Sequence, residues 1–203
     1  SLRPLHPAYV STVDSGNLAG HLLTLRPGLI ELLDRPILEP RWIDGLGDTL
    51  AILEEEAGDT AAAKLVEFRD TLEAARGARP ATLAAARRLL DQLVRSAGAL
   101  AADLGDEPES HASWWAGELG RQCRAVRDEL SYLAPWSQPA ASTDELEHLP
   151  AIDAIPTLRA LAGLEVTLSA VLANPTQAQA TWLADLRTQI ALGSERAQAR
   201  IAV

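Results

Sequence analysis

The spacing of the apolar residues between positions 83 and 104 constrains the fold more than any other feature of this chain. Leucines and alanines recur there in alternating steps of three and four residues, as in a helix that packs along a bundle seam: Leu83, Ala86, Leu90, Leu93, Ala97, Leu100 and Leu104. The apolar residues of the chain are mostly Ala and Leu, and strand-favouring aromatics are scarce, with one Phe and two Tyr. The sequence therefore predicts an all-α fold.

Similar apolar stripes predict six further helices. The stripes begin near Leu18, Ile43, Leu65, Ala112, Leu158 and Trp182. The connections between residues 59 and 133 are short, and short connections generally join antiparallel neighbours. We therefore predict an antiparallel multi-helix bundle of about seven helices.

Prolines, glycines and capping residues predict where these helices begin and end. We expect a kink or break at Pro27 and Gly28, and a helix end near Gly58. Further helices are expected to start at Asp59 or Thr60 and at Pro80. The remaining helices are expected to start at Asp106 to Pro108, at a capping box of Ser142 with Glu145, and at Asn174 with Pro175. Gly193 is a possible weak point in the last helix.

The changes in composition divide the chain into four parts. Residues 1–38 form a lead-in with the first helix, and residues 39–134 form the antiparallel bundle. Residues 135–156 are rich in proline and acidic residues and are predicted to be a linker or hinge. Residues 157–203 are predicted to form a C-terminal helical hairpin that packs on the bundle.

Charge and residue spacing argue against several functional classes. A net charge of −10 disfavours nucleic acid and anionic membranes as partners, since both require a basic face. No apolar run approaches the roughly 18 residues of a membrane span, so we expect a soluble, cytoplasmic segment. The histidines lack metal-ligand spacing, and no phosphate loop, nucleophile elbow or Rossmann pattern occurs, so neither metal nor cofactor is expected. Cys123 is the only cysteine and is expected to be a buried thiol.

The segment from Asp14 to Asn17 is the polar stretch least explained by solubility. Asp14, Ser15, Gly16 and Asn17 suit the opening of a helix, which we expect to start near Ser15 with its leucine stripe facing a core. Such a turn has free backbone N–H groups that can hold the hydroxyls of a sugar. Alternatively, Asp14 or Ser15 simply caps the helix and nothing binds.

The seventeen residues from Tyr9 to Leu25, YVSTVDSGNLAGHLLTL, resemble the opening motif of the glycoamylase-like region in cyclic β-1,2-glucan synthases. These are large bacterial membrane enzymes that polymerise and cyclise glucose. The resemblance implies that the chain is a fragment of such a polypeptide, whose other domains, including a glycosyltransferase, would be its partners, and that the parent lies in the inner membrane.

The resemblance also implies roles for the polar segment. Asp14 and Asn17 would bind glucose hydroxyls of β-1,2-glucan, while Ser15 and Gly16 would shape the turn. The acidic residues that carry out transglycosylation in the family have no counterpart in this sequence. We therefore expect no catalytic residues here, and a role as a non-catalytic helical segment of the synthase.

Two further hypotheses remain open. The chain is alternatively a structural or protein-interaction module that docks a partner or forms a homodimer through an exposed first helix. Among the five tryptophans, Trp114, Trp115 and Trp136 are either a platform for stacking sugar rings or anchors of the core. Because adjacent helical residues point about 100° apart, only one of Trp114 and Trp115 can face the seam, and Trp114 is the candidate for exposure.

Overall fold

The computed structural model describes residues 11–105, 110–138, 150–171 and 180–202. Within these ranges the chain is helical and forms no strand, which confirms the all-α prediction. The α-helices are α1 (Thr12–Leu32), α2 (Arg41–Ala57), α3 (Ala62–Gly77), α4 (Leu83–Leu104), α5 (His111–Leu133), α6 (Pro150–Asp153), α7 (Leu158–Ala162), α8 (Leu164–Val171) and α9 (Ala180–Ile201), and one 3₁₀ turn occupies Pro135–Ser137.

Helices α2 to α5 form a bundle in which each helix packs against two of the others. α4 and α5 make the most extensive contact, α2 packs against both α3 and α5, and α3 packs against α4. The predicted stripes of these helices supply the first core cluster. Its buried members are Ile43, Leu46, Leu50, Leu53, Ala57, Leu65, Phe68, Leu72, Ala75, Leu93, Ala97, Leu100, Ala112, Ala116, Leu119 and Cys123.

A second core cluster joins the other end of α4 and α5 to the C-terminal helices. It contains the start of the α4 seam, the end of α5, and the apolar face of α9. Trp136 and Ile152 are buried in it, and the Trp136 indole Nε1–H donates a hydrogen bond to the Ile152 carbonyl at 3.2 Å. The described ends of the proline-rich stretch thus contribute to the core, while the proposed division into domains remains a prediction.

Helix α1 spans 21 residues and buries none of them. The expectation that its leucine stripe faces a core is therefore wrong for this chain. The helix also continues through Pro27, so the predicted kink or break is not a break. It is attached at its carboxyl end, where the Leu33 carbonyl accepts a hydrogen bond from the Arg159 N–H at 3.0 Å and Asp34 pairs with the Arg159 guanidinium.

Several predicted helix boundaries need correction. α3 follows Ala61, whose left-handed backbone (φ 57°) precedes the helix, so neither Asp59 nor Thr60 caps it. α4 begins at Leu83, not at Pro80, because the Thr82 side chain accepts a hydrogen bond from the Ala85 N–H. α5 begins at His111, and Ser110 caps it in place of the predicted Asp106 to Pro108 segment.

The predicted sixth helix is two helices separated by Gly163, which ends α7. The proposed starts at Ser142 with Glu145 and at Asn174 with Pro175 lie outside the described residues. α9 runs unbroken through Gly193, so that glycine is not a weak point. A Cβ atom at Gly193 would lie 2.5 Å from the Leu133 carbonyl oxygen, so the missing side chain allows α9 to approach α5 closely.

Candidate functional site

The polar segment from Asp14 to Asn17 lies inside α1. Ser11 is the N-cap in an extended conformation, and its hydroxyl accepts a hydrogen bond from the Asp14 N–H at 3.1 Å. The Ser11 carbonyl accepts hydrogen bonds from the Ser15 N–H at 3.0 Å and from the Ser15 hydroxyl at 2.7 Å. The predicted helix start at Ser15 is therefore wrong, and neither Asp14 nor Ser15 is the N-cap.

This placement separates the four residues expected to bind sugar. Successive helical residues point about 100° apart, so Asp14, Ser15, Gly16 and Asn17 fan around the axis. Ser15 and Gly16 are helical and shape no turn. Asp14 and Asn17 are three residues apart, which places them on neighbouring faces, and both are exposed. Their role in binding glucose hydroxyls remains a prediction.

Asp14 stands at the amino end of an exposed apolar stripe. Steps of four and three residues align with it the side chains of Leu18, Leu22, Leu25, Leu29 and Leu32, which are 49–60% exposed. Leu23 and Ile30 are also exposed but lie on a different side of the helix. A surface that covered the leucine stripe would therefore also lie next to Asp14.

Tryptophan provides a second candidate site, at the amino end of α5. Trp114 is 54% exposed, whereas Trp115 packs against the first core cluster. Their ring centroids are 4.7 Å apart with an interplanar angle of 88°, an edge-to-face arrangement. His111 lies one turn before Trp114. His111, Trp114 and Trp115 line a concavity with a volume of about 380 Å³. Trp136 is buried in the second core cluster and is therefore an anchor of the core.

Polar side chains of α2 and α5 lie close to this aromatic concavity. His111 Nδ1 is 3.5 Å from Glu56 Oε2, which belongs to the last turn of α2. Glu54, two residues earlier in α2, instead pairs with Arg69, so the Glu54 and Glu56 carboxylates point apart and do not converge on one bond. The three-residue spacing of His111 and Trp114 was the signal in the sequence that these side chains lie next to each other.

Neither metal ligation nor thiol chemistry is supported in the described part of the chain. No group of three or more His, Cys, Asp or Glu residues in the described ranges could hold a metal ion. Cys123 of α5 is buried in the first core cluster, and burial raises the pKa of its thiol to about 12. The thiol is therefore protonated at neutral pH, and it has no access to a substrate.

Comparison with known proteins identifies one informative relative. The curated cyclic β-(1,2)-glucan synthase NdvB of Rhizobium meliloti (strain 1021) is 34% identical to this chain over an alignment of 143 residues. The alignment covers 61% of this chain and 5% of the synthase. No family model and no solved structure matches the chain. Across the helices that the structure describes, none is long and apolar enough to cross a membrane. The predicted relationship is thus confirmed: the chain is similar in sequence to a small part of a cyclic β-(1,2)-glucan synthase.

Proposed function

We propose that this chain is a non-catalytic helical segment of a bacterial cyclic β-1,2-glucan synthase that takes part in glucan synthesis and cyclisation. In this proposal it forms the start of the glycoamylase-like region and an adjoining helical insertion. The sequence similarity to NdvB and the Tyr9 to Leu25 motif support the assignment. The small share of the synthase that the alignment covers is consistent with a segment of a much longer polypeptide.

The observation that carries the proposal is the exposure of α1. α1 has 21 residues and buries none of them, whereas most helical stability in proteins comes from packing an apolar face. Fully burying one exposed leucine side chain contributes about 1.5–3 kcal/mol, and the leucines of the stripe have about half of their surface still to bury. The five leucines of the stripe can therefore contribute substantially to docking α1 on the remaining domains of the synthase, which we propose as its partners.

Asp14 lies on the same face of α1 as the leucine stripe, and this position suggests how a docked α1 would also contact glucan. If the stripe packs on the rest of the glycoamylase-like region, Asp14 lies at the edge of that interface and Asn17 beside it. A carboxylate accepts hydrogen bonds from sugar hydroxyls, and an amide both donates and accepts them. We propose that Asp14 and Asn17 contact β-1,2-glucan in this setting.

The docking of α1 can be tested in the full-length polypeptide that contains this chain. Replacing Leu22 and Leu29 with Ser removes two members of the stripe, and replacing Leu23 and Ile30 with Ser is the matched control on another face. Both pairs are exposed here and share the same spacing. We expect glucan production to fall in the Leu22→Ser, Leu29→Ser variant and to persist in the control, after normalising for the amount of protein.

Equal glucan production by both variants and the unmodified synthase would contradict the proposed interface. A non-catalytic role makes a separate prediction, that the isolated chain neither hydrolyses nor transfers β-1,2-glucan. Turnover by the isolated chain that disappears in Asp14→Ala would show that the segment carries catalytic residues.

The exposed stripe also favours a second candidate function, a protein-interaction module that forms a homodimer. Two copies of α1 could pair through Leu18, Leu22, Leu25 and Leu29 and remove those side chains from water. Light scattering after size-exclusion chromatography tests this alternative directly. A dimer that becomes monomeric in the Leu22→Ser, Leu29→Ser variant, but not in the Leu23→Ser, Ile30→Ser control, would support the module over the synthase segment.

A further inference from the structure

We infer that His111, Trp114 and Trp115 form a binding site for one glucose ring of a glucan chain, with Trp114 as the stacking surface. The identity of the sugar rests on the proposed function, whereas the site itself rests on the geometry at the amino end of α5. It is separate from the polar residues of α1.

Trp114 is held in place without being covered. Trp115 packs against the first core cluster, and its ring meets that of Trp114 edge-to-face at 4.7 Å. The half-buried Trp115 therefore restricts the orientation of the Trp114 indole, which keeps 54% of its surface exposed. A ligand that stacks on a ring already restricted in this way loses less conformational entropy on binding.

The chemistry of an indole face matches that of a pyranose ring. The face of an aromatic ring carries the negative part of its quadrupole, and the axial C–H bonds of glucose present a weakly positive apolar face. In a β-1,2-linked glucan, the 3-, 4- and 6-hydroxyls of each ring remain free around the rim of that face. The site therefore needs an aromatic floor and polar groups at its edge.

His111 supplies a polar group at that edge, and Glu56 lies beside His111. His111 lines the concavity with the two tryptophans, and its Nδ1 is 3.5 Å from a carboxylate oxygen of Glu56. An imidazole can donate to a sugar hydroxyl, and a carboxylate accepts from one. The concavity of about 380 Å³ falls within the range of about 300–1,000 Å³ typical of small-molecule sites. An apolar floor with few polar groups at its rim is the usual composition of such sites.

Nuclear magnetic resonance of the indole N–H groups tests the site on the intact chain. We would titrate the protein with a linear β-1,2-linked glucose tetrasaccharide and assign the Trp114 signal with Trp114→Phe. The Trp114 signal is expected to shift with a Kd of about 1 mM, and Trp114→Ala is expected to raise the Kd about tenfold or more. Tyr132→Ala is the control, because Tyr132 is an exposed aromatic at the other end of the same helix. It should leave the Kd unchanged.

Two outcomes would overturn the inference. Unchanged affinity in Trp114→Ala would show that the glucan binds elsewhere, and loss of that binding in Asp14→Ala would assign it to α1, which leaves the proposed function intact. Absence of binding by the unmodified chain up to about 10 mM tetrasaccharide would also exclude the site. The scaffold role is tested independently by the leucine variants of α1, so failure of the site and failure of the proposed function are distinguishable.

Discussion

Replacing Gly193 with Ala tests the closest packing between α9 and the rest of the chain. The added Cβ would lie 2.5 Å from the Leu133 carbonyl oxygen and 2.8 Å from Trp136 Cζ3. Both neighbours are constrained, since one is backbone and the other is the ring of a tryptophan buried in the second core cluster. The substitution therefore requires α9 to move away from α5 or Trp136 to leave its position.

The expected magnitude is the difference between two effects. Gly to Ala inside a helix stabilises by about 1 kcal/mol through backbone propensity. Overpacking a well-packed core costs about 1–3 kcal/mol, and the overlap with a backbone oxygen at Gly193 places the substitution at the upper end of that range. We expect a net destabilisation of about 1–2 kcal/mol, which lowers the Tm of a chain of this length by about 2–8 °C.

The matched control is Gly98→Ala, in the exposed face of α4, where an added Cβ meets nothing within 4 Å. Thermal unfolding followed by circular dichroism should show opposite signs for the two variants. Gly98→Ala should raise the Tm by about 2–4 °C, because only the propensity term operates. A Tm for Gly193→Ala equal to or above that of the unmodified chain would refute the packing of α9 against Leu133 and Trp136.

Three further predictions concern hydrogen bonding and ionisation. Ser194→Ala should destabilise the chain by about 1–2 kcal/mol in urea unfolding, because the buried Ser194 hydroxyl donates to the Leu161 carbonyl at 2.9 Å. Burial raises the pKa of Cys123 from 9.0 to about 12, so the stability contributed by the neutral thiol is present below pH 9 and lost as pH rises towards 12. The free energy of unfolding of Cys123→Ala should lack this loss of stability between pH 9 and pH 12. The hydrogen bonds from the Arg159 guanidinium lower the pKa of Asp34, so Arg159→Ala should raise it, and an unchanged carboxyl titration would contradict the contact.

The sequence predicted the core of the bundle because local periodicity determined it. Positions such as Leu50, Phe68, Leu90 and Leu119 recur at helical steps, and each is buried where the stripes predicted. Gly193 shows the limit of this reasoning. Gly193 allows close packing against Leu133 and Trp136, which are distant in sequence. Without knowledge of these contacts, the glycine was interpreted as a possible weak point of the helix.

Helix α1 shows a second limit. Its helical periodicity was predicted correctly, but the prediction that its leucine stripe faces a core was wrong. The leucine stripe exists, but nothing in the described chain covers it. Helical periodicity identifies a face that requires a partner, and it contains no information on whether that partner lies in the same chain. The start of α1 was also misplaced, because Ser11 competes with Asp14 and Ser15 as a cap and all three have favourable chemistry.

Parts of the candidate sites were predicted from the sequence, and other parts were not. The sequence identified Trp114 as the tryptophan facing out, since Trp115 occupies the seam. The contact between Glu56 and His111 was not predicted from the sequence, because it depends on the tertiary packing of α2 against α5. The sequence also placed Ser15 and Gly16 in a turn, whereas the Ser11 cap includes both in the helix.

Hydrogen exchange of the α1 amides tests most directly whether this helix is an interface of a larger synthase. In the isolated chain, the amides from Val13 to Leu32 should exchange within seconds, because no core residue protects them. In the full-length synthase that we propose contains this chain, the same amides should exchange about a hundredfold more slowly, corresponding to about 2.7 kcal/mol of docking energy. Equally rapid exchange in both proteins would contradict the account.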